Sequence, residues 1–238
     1  MKKKLAVFDI DGTIFRSSLL IELMNGLIDN KVFSKRVNTQ ISKQYNAWLN
    51  REGVYGDYLA RVINVYEENI QGCDEKDVEE VVETVLRKEK KKLYTYTRDL
   101  IKRLKEDGYF LFAISGSPGH ILTSFAKEIG FDKYLGGYYE VVDGKFTGKQ
   151  PFGNPSHDKK KTLEEFLMRD YADFDLSKSI GVGDTESDIP FLKMLGNPIA
   201  FNPNRGLAEY ARKKNWKIVV ERKDVIYDIT EFAFLDGD

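Results

Sequence analysis

The sequence predicts an α/β protein: a Rossmann-like, parallel-sheet core with a helical domain inserted near its start. Three observations carry this reading. Short apolar runs end abruptly in acids, serines and glycines, as buried strands running into loops do. Between about Ser17 and Lys92 the apolar residues recur at helical spacing, with no convincing strand. Beyond that block, strand-like and helix-like segments alternate, the pattern of a doubly wound sheet.

The elements follow in order. Leu5–Phe8 is a buried strand. Leu19, Leu23 and Leu27 recur every four residues, and Val78, Val81, Val82, Val85 and Leu86 form an i, i+3, i+4, i+7, i+8 stripe. Gly53, Gly56 and Gly72 are expected to separate helices. Arg98–Asp107 reads as a helix stopped by Gly108. Phe110–Ile114 is a strand, and Ile121–Ile129 a helix closed by Gly130. Asp143-Gly144 between Tyr138–Val142 and Lys145–Thr147 signals a hairpin. Leu163, Phe166 and Leu167 share a helix face. Ser179–Val182 is a strand, Ile189–Leu195 a helix, Ile199–Phe201 and Lys217–Val220 strands, with a helix at Leu207–Arg212 between them. The segment 224–238 reads as a final helix. The expected core spans residues 1–15 and 93–238, and the helical cap 16–92.

Composition narrows the function classes. The chain has 238 residues, about one to two domains. Its 37 basic and 38 acidic residues leave a net charge of −1, which disfavours a nucleic-acid or anionic-membrane binder. Hydrophobic residues at 42% exclude a disordered chain. The single cysteine, Cys73, excludes an internal disulfide framework. No apolar run is long enough to span a membrane, and the basic start lacks a signal-peptide core. A cytoplasmic protein is expected. The Lys-rich stretch 88–92 reads as a solvated helix face, His120 and His157 as surface or loop residues, and Cys73 as structural.

Ligands of such sheets bind beyond the carboxyl ends of the strands. Three strand ends stand out: Asp9-Ile10-Asp11-Gly12-Thr13, Ser115-Gly116-Ser117 and Gly183-Asp184-Thr185-Glu186-Ser187-Asp188. A parallel sheet brings all three to one rim. Clustered carboxylates repel and raise one another's pKa, and a divalent cation relieves this. An all-oxygen donor set suits Mg²⁺. Hydroxyls and glycine-exposed N–H groups suit a phosphate. The combination suggests metal-assisted phosphoryl transfer.

With a Lys ahead of a helix, these motifs in this order resemble the haloacid dehalogenase superfamily. The helical insert and Ser115-Gly-Ser-Pro118 resemble its phosphoserine phosphatase-like branch. The resemblance covers the chain to about Val220. It implies Asp9 as nucleophile, forming an aspartyl phosphate, and Asp11 as general acid and base. It implies phosphate contacts from Thr13, Ser115, Lys159 and the N–H groups of Gly12 and Gly116. Mg²⁺ would be held by Asp9, the Asp11 carbonyl and Asp184, with Asp188 acting from behind through a water. Lys159 lies four residues before the apolar Leu163, on the inward face of that helix, and is preferred over Lys160 and Lys161.

The implied function is Mg²⁺-dependent hydrolysis of a small phosphomonoester. A hydrolytic dehalogenase is disfavoured by Asp11 and Asp184. A phosphomutase keeps the same core and stays open. A noncatalytic scaffold is disfavoured by the intact motifs. The phosphoserine phosphatases need an acid nine residues after the nucleophile, where this chain has Ser18, and an arginine that Arg61 matches only loosely. A substrate other than phosphoserine, anionic or neutral and contacting Arg16 or Arg61, is therefore expected; Glu22 is the substitute acid if phosphoserine is used after all.

Overall fold

A computed structural model describes residues 2–169, 173–231 and 233. In chain order the elements are β1 (Lys4–Phe8), α1 (Leu19–Asp29), α2 (Val37–Leu49), α3 (Tyr55–Ile70), α4 (Glu75–Glu89) and α5 (Thr95–Glu106). There follow β2 (Tyr109–Pro118), α6 (Gly119–Ile129), β3 (Lys133–Gly137), the hairpin β4 (Val141–Val142) and β5 (Lys145–Phe146), and α7 (Lys159–Arg169). The last elements are β6 (Ile180–Gly183), α8 (Ile189–Leu192), β7 (Asn197–Phe201), α9 (Arg205–Lys213), β8 (Lys217–Arg222) and β9 (Val225–Ile229). A turn of 3₁₀ helix at Glu186–Asp188 leads into α8.

Seven strands form one sheet in the order β3-β2-β1-β6-β7-β8-β9. All neighbours are parallel except β8 and β9. The sheet is covered on both faces, and the strand residues divide with period two. Ala6, Phe8, Leu111 and Ala113 face one buried cluster; Leu5, Val7, Phe112 and Ile114 face the other. The first cluster continues into the inserted helices, where Leu23, Leu27, Val65 and Val82 join it. The chain winds outward from β1 through β2 to β3, then restarts at β6 beside β1. The gap between β1 and β6 is thus the topological switch point.

The two ends of the insert are closed by a short antiparallel ribbon. Arg16 donates its N–H to the Lys92 carbonyl at 2.8 Å, and Tyr94 its N–H to that of Ile14 at 3.0 Å. The far end is fastened to the β4–β5 hairpin. Gly72 N–H reaches the Phe146 carbonyl (2.8 Å), Phe146 N–H that of Cys73 (3.0 Å) and Glu75 N–H that of Gly144 (2.9 Å). Asp143 and Gly144 both take positive φ, 50° and 74°, as the two-residue turn requires.

Several expectations are corrected. Residues 225–229 form an antiparallel edge strand, not a helix; Phe232 and residues 234–238 lie outside the described residues. Residues 133–137, to which the sequence reading assigned no element, form the opposite edge strand. Gly56 lies inside α3 rather than between helices. Lys90 and Lys92 are not simply solvated, since they pair with Glu128 and Glu89. His120 is no loose surface residue: it sits in the first turn of α6 with Nε2 2.8 Å from the Tyr66 hydroxyl. Among the described residues no helix is long and apolar enough to cross a membrane.

Burial pushes the His120 imidazole down to about 4, so it is held neutral. Its stabilising contribution is complete above the unfolded pKa near 6.5 and is lost as pH falls toward the folded value. The urea midpoint should therefore drop between pH 7 and pH 4.5. His120→Gln, which takes up no proton, should flatten that part of the profile.

Candidate active site

Asp9 follows β1 and Asp184 follows β6, so the switch point itself places two carboxylates side by side. Asp9 is fixed at its backbone, donating its N–H to the Val182 carbonyl at 3.0 Å. Its side chain is buried, and Oδ1 lies 2.5 Å from Lys159 Nζ. The same ammonium is 2.5 Å from Asp188 Oδ1. Asp188 Oδ2 accepts the N–H groups of Asp184 and Thr185, both at 3.0 Å. Asp188 thus orients the loop that carries Asp184 while holding Lys159. Lys159 is buried at the start of α7; Lys160 pairs with Glu164 on the outside and Lys161 is exposed.

The oxygens of Asp9, Asp184 and Asp188 lie within 4.8 Å of one another. Burial, reinforced by the neighbouring carboxylates, raises the pKa of Asp184 well above the ordinary range. Burial raises Asp9 too, with Lys159 opposing the shift. Burial also works against the charge on Lys159, but Asp188 and Asp9 outweigh it and hold the ammonium protonated. Three carboxylates against one ammonium leave a formal −2 in a buried space. A divalent cation matches both that charge and the hard oxygen donors. Asp9 and Asp184 are the residues present to hold it, because both oxygens of Asp188 are engaged elsewhere.

Asp11 is held differently. Its Oδ2 accepts from the hydroxyls of Ser115 (2.9 Å) and Ser117 (2.7 Å). Its Oδ1 accepts the Leu19 N–H at 2.6 Å. Ser18, at the N-cap position of α1, makes no capping bond with its side chain; Asp11 bonds the first turn in its place. Ser117 Oγ also accepts the Leu20 N–H at 3.2 Å. Burial raises the Asp11 pKa against the pull of these three donors.

The expected phosphate-binding loop is partly corrected. Thr13 Oγ1 donates to Asp184 Oδ1 at 3.3 Å, and Thr97 on α5 donates its hydroxyl to the Thr13 carbonyl at 2.9 Å. Gly12 is no free N–H donor: its amide is used by the carbonyls of Phe15 (3.0 Å) and Ser17 (3.2 Å). The requirement for glycine is steric. At φ +82°, a Cβ there would lie 2.2 Å from Asp184 Oδ2. Among the described residues, Ile10 and Asp11 are the loop amides without an acceptor.

Sequence reasoning missed Asn154. Its Nδ2 donates to the Gly116 carbonyl at 3.0 Å, and its Oδ1 accepts from Ser156 N (3.0 Å) and Ser156 Oγ (2.8 Å). One loop therefore anchors the second motif and then delivers Lys159. The candidate substrate residues are less concentrated. Ser18 is buried beside the Asp11 loop. Arg16 is exposed, its guanidinium 5.6 Å from the Tyr94 ring. Arg61 is turned to the Gln40 carbonyl (3.0 Å) and Glu68 (3.6 Å), and Glu22 is paired with Lys92 (3.7 Å).

Comparisons with known proteins bear on the family and the fold. A family model described as haloacid dehalogenase-like hydrolase matches residues 6–193. Phosphoserine phosphatase SerB1 of Mycobacterium tuberculosis is 24% identical over 221 residues, covering 90% of this chain and 69% of that one. The inhibition of morphological differentiation protein of Streptomyces azureus is 23% identical over 216 residues, covering 90% and 77%. Among solved structures, a Bordetella pertussis protein of unknown function superposes with TM-score 0.73 at 18% identity, over 92% of this chain and 98% of that one. A phosphoserine phosphatase carrying a phospho-aspartyl intermediate analogue gives TM-score 0.62 at 22% identity, over 94% and 96%. The chain belongs to the haloacid dehalogenase-like hydrolases, on the phosphoserine phosphatase-like branch.

Removing one partner of the buried cluster should be costly. Asp188→Asn leaves Lys159 with one carboxylate and turns an amide toward donors. A loss of about 3–5 kcal/mol is expected, seen as a Tm lower by about 10 °C in a thermal melt.

Proposed function

We propose that this hydrolase is a Mg²⁺-dependent phosphomonoesterase that forms an aspartyl phosphate on Asp9 and acts on a small phosphorylated metabolite. The observation that carries the reading is the pairing of a buried Lys159–Asp9–Asp188 cluster with a further carboxylate, Asp11, held by the Ser115 and Ser117 hydroxyls. Two carboxylates in different environments suit two different tasks.

Lys159 occupies Asp9 Oδ1 and fixes the plane of the carboxylate, leaving Oδ2 as the attacking atom. As Oδ2 bonds to phosphorus, the bond from phosphorus to the leaving oxygen breaks, and Asp11 delivers a proton to that oxygen. Water then adds to phosphorus, Asp11 takes its proton, and the Asp9 carboxylate and inorganic phosphate are released. Asp11 must be protonated at the first step, and its burial favours that form. Thr13, Ser115, Lys159 and the amides of Gly116, Ile10 and Asp11 are the donors for the phosphoryl oxygens. Ser115, whose hydroxyl rests on Asp11, would turn it to the phosphate. Mg²⁺, when bound by Asp9, Asp184 and the Asp11 carbonyl, supplies charge neutralisation between the carboxylates and the phosphate. Asp188 supports the site from behind Asp184 and Lys159.

Residues 16–92 act as the cap, excluding bulk water and shaping the leaving-group pocket over a core of 1–15 and 93–238. The substrate is a phosphomonoester other than phosphoserine. An ammonium group needs a counter-charge once desolvated. The place for that acid is the neutral Ser18, and Glu22 is already paired with Lys92.

Asp9→Asn should abolish phosphate release while the melting profile shows a folded protein, and chelation of the wild type should stop turnover until Mg²⁺ is restored. Parental activity in either case contradicts the mechanism. In a substrate panel, L-phosphoserine should fall at least about tenfold in kcat/KM below the best sugar, glycerol or nucleotide monophosphate, about 1.4 kcal/mol of transition-state preference.

A further inference from the structure

β9 is the outer strand at one end of the seven-stranded sheet, and among the described residues no strand pairs with its far side. The sheet's other edge is blunted: β3 begins with Lys133, and its register against β2 shifts between Ile114 and Pro118. β9 carries no such device. It contains no proline, and it pairs with β8 in unbroken register from Ile218–Ile229 to Arg222–Val225. Val225, Ile226 and Tyr227 are 43%, 44% and 48% exposed. The one acid within β9, Asp228, is partnered by Lys217 at 2.8 Å. An open, regular and largely apolar edge is a template for another strand.

The hairpin geometry determines which backbone groups are on offer. Lys223 and Asp224 form a two-residue turn, so Arg222 and Val225 exchange both of their hydrogen bonds. By alternation, Val225, Tyr227 and Ile229 turn their amides and carbonyls toward β8, while Ile226 and Asp228 turn theirs outward. A second β9, antiparallel about a twofold axis, can bond those outward groups. Three registers centre the axis on the middle residues of the strand. With Ile226 on the axis, Asp224 lies opposite Asp228; with Asp228 on the axis, it lies opposite itself. Like charges directly opposite are destabilising. With Tyr227 on the axis no like charges oppose: Ile226 faces Asp228, Val225 faces Ile229, and Lys223 comes level with Glu231. Ile218 and Ile229 belong to the apolar layer on one face of the sheet. Val225 and Tyr227 share that face with Ile229, so this register carries the layer across the axis.

We propose that β9 is a self-association edge, which pairs with β9 of a second copy of this chain about a twofold axis at Tyr227 and joins the two sheets into one. The occupant is a second copy because the strand is its own complement in apolar pattern, outward backbone groups and end charges. β7 and β8 separate β9 from β6 and β1, so the carboxylate site stays clear of the interface. One strand pair is a small interface, and small interfaces are reversible, so the dimer forms in the micromolar range.

Sedimentation velocity across micromolar concentrations should show monomer passing into dimer as the protein is concentrated, with no larger species. Tyr227→Lys sets two ammonium groups face to face on the axis. It should weaken association at least about fivefold, and a thermal melt should show the variant folded, since the position is exposed. Disulfide trapping in a Cys73→Ser background reads the register. Opposite residues of a non-hydrogen-bonded pair have Cα atoms about 4.5 Å apart, within reach of a disulfide. Tyr227→Cys should therefore link two chains under mild oxidation. Ile226→Cys should not, because its two copies stand about 7–8 Å apart on the diagonal. A wild type that stays monomeric at every concentration, an open polymer, a dimer that Tyr227→Lys leaves intact, or linkage through Ile226→Cys but not through Tyr227→Cys overturns the proposal.

Discussion

The buried ammonium of Lys159 is the interaction on which the rest of the site depends. It lies between Asp9 at the end of β1 and Asp188 beyond β6, and both carboxylates are nearly or wholly removed from water. Without it, the buried Asp9 and Asp188 and the half-buried Asp184 would face one another across the switch point with no cation between them. The sheet order makes the meeting unavoidable, because β1 and β6 are direct neighbours. The glycines follow from the same crowding. Gly183 has no room for a side chain, since a Cβ would lie 2.6 Å from Asp188.

A second constraint joins this centre to the insert. Asp11 takes the place of a side-chain cap at the start of α1, and Ser117 bonds the next amide in the same turn. Thr97, just past the insert, holds the carbonyl of Thr13. The first inserted helix and its exit are therefore registered against the residues proposed to handle the proton and the phosphate. A shift of α1 would change the hydrogen bonds of Asp11 directly, because the Leu19 amide rests on its Oδ1.

Much of this was legible in the sequence because it depends on local rules. A buried parallel strand that ends in acids announces both itself and its rim, and three such ends identified the segments that meet. Lys159 was separable from Lys160 and Lys161 by its spacing from Leu163, which fixes a helix face. What escaped depends on distant contacts. The edge strand β3, Lys-Tyr-Leu-Gly-Gly, lacks the apolar run of a buried strand, whereas β9 does carry the strand-forming run Val225-Ile226-Tyr227, all three of which are exposed at the sheet edge. His120 is half-buried because Tyr66 from α3, Tyr139 and Phe146 pack round its ring. Asn154 carries no local signal, since its partner Gly116 is 38 residues away. Gly12 was identified for the wrong reason: its amide closes its own loop, and what matters is the missing Cβ.

The proposed mechanism depends on a covalent bond to one carboxylate, that of Asp9. Wild-type protein mixed with a phosphomonoester substrate and Mg²⁺, quenched rapidly and reduced with borohydride, should yield homoserine at position 9 by peptide mass spectrometry. That product forms only if the Asp9 carboxylate carried an acyl phosphate. An enzyme that turns over under the same conditions yet yields unmodified aspartate at position 9, or reduction at another carboxylate, contradicts the account.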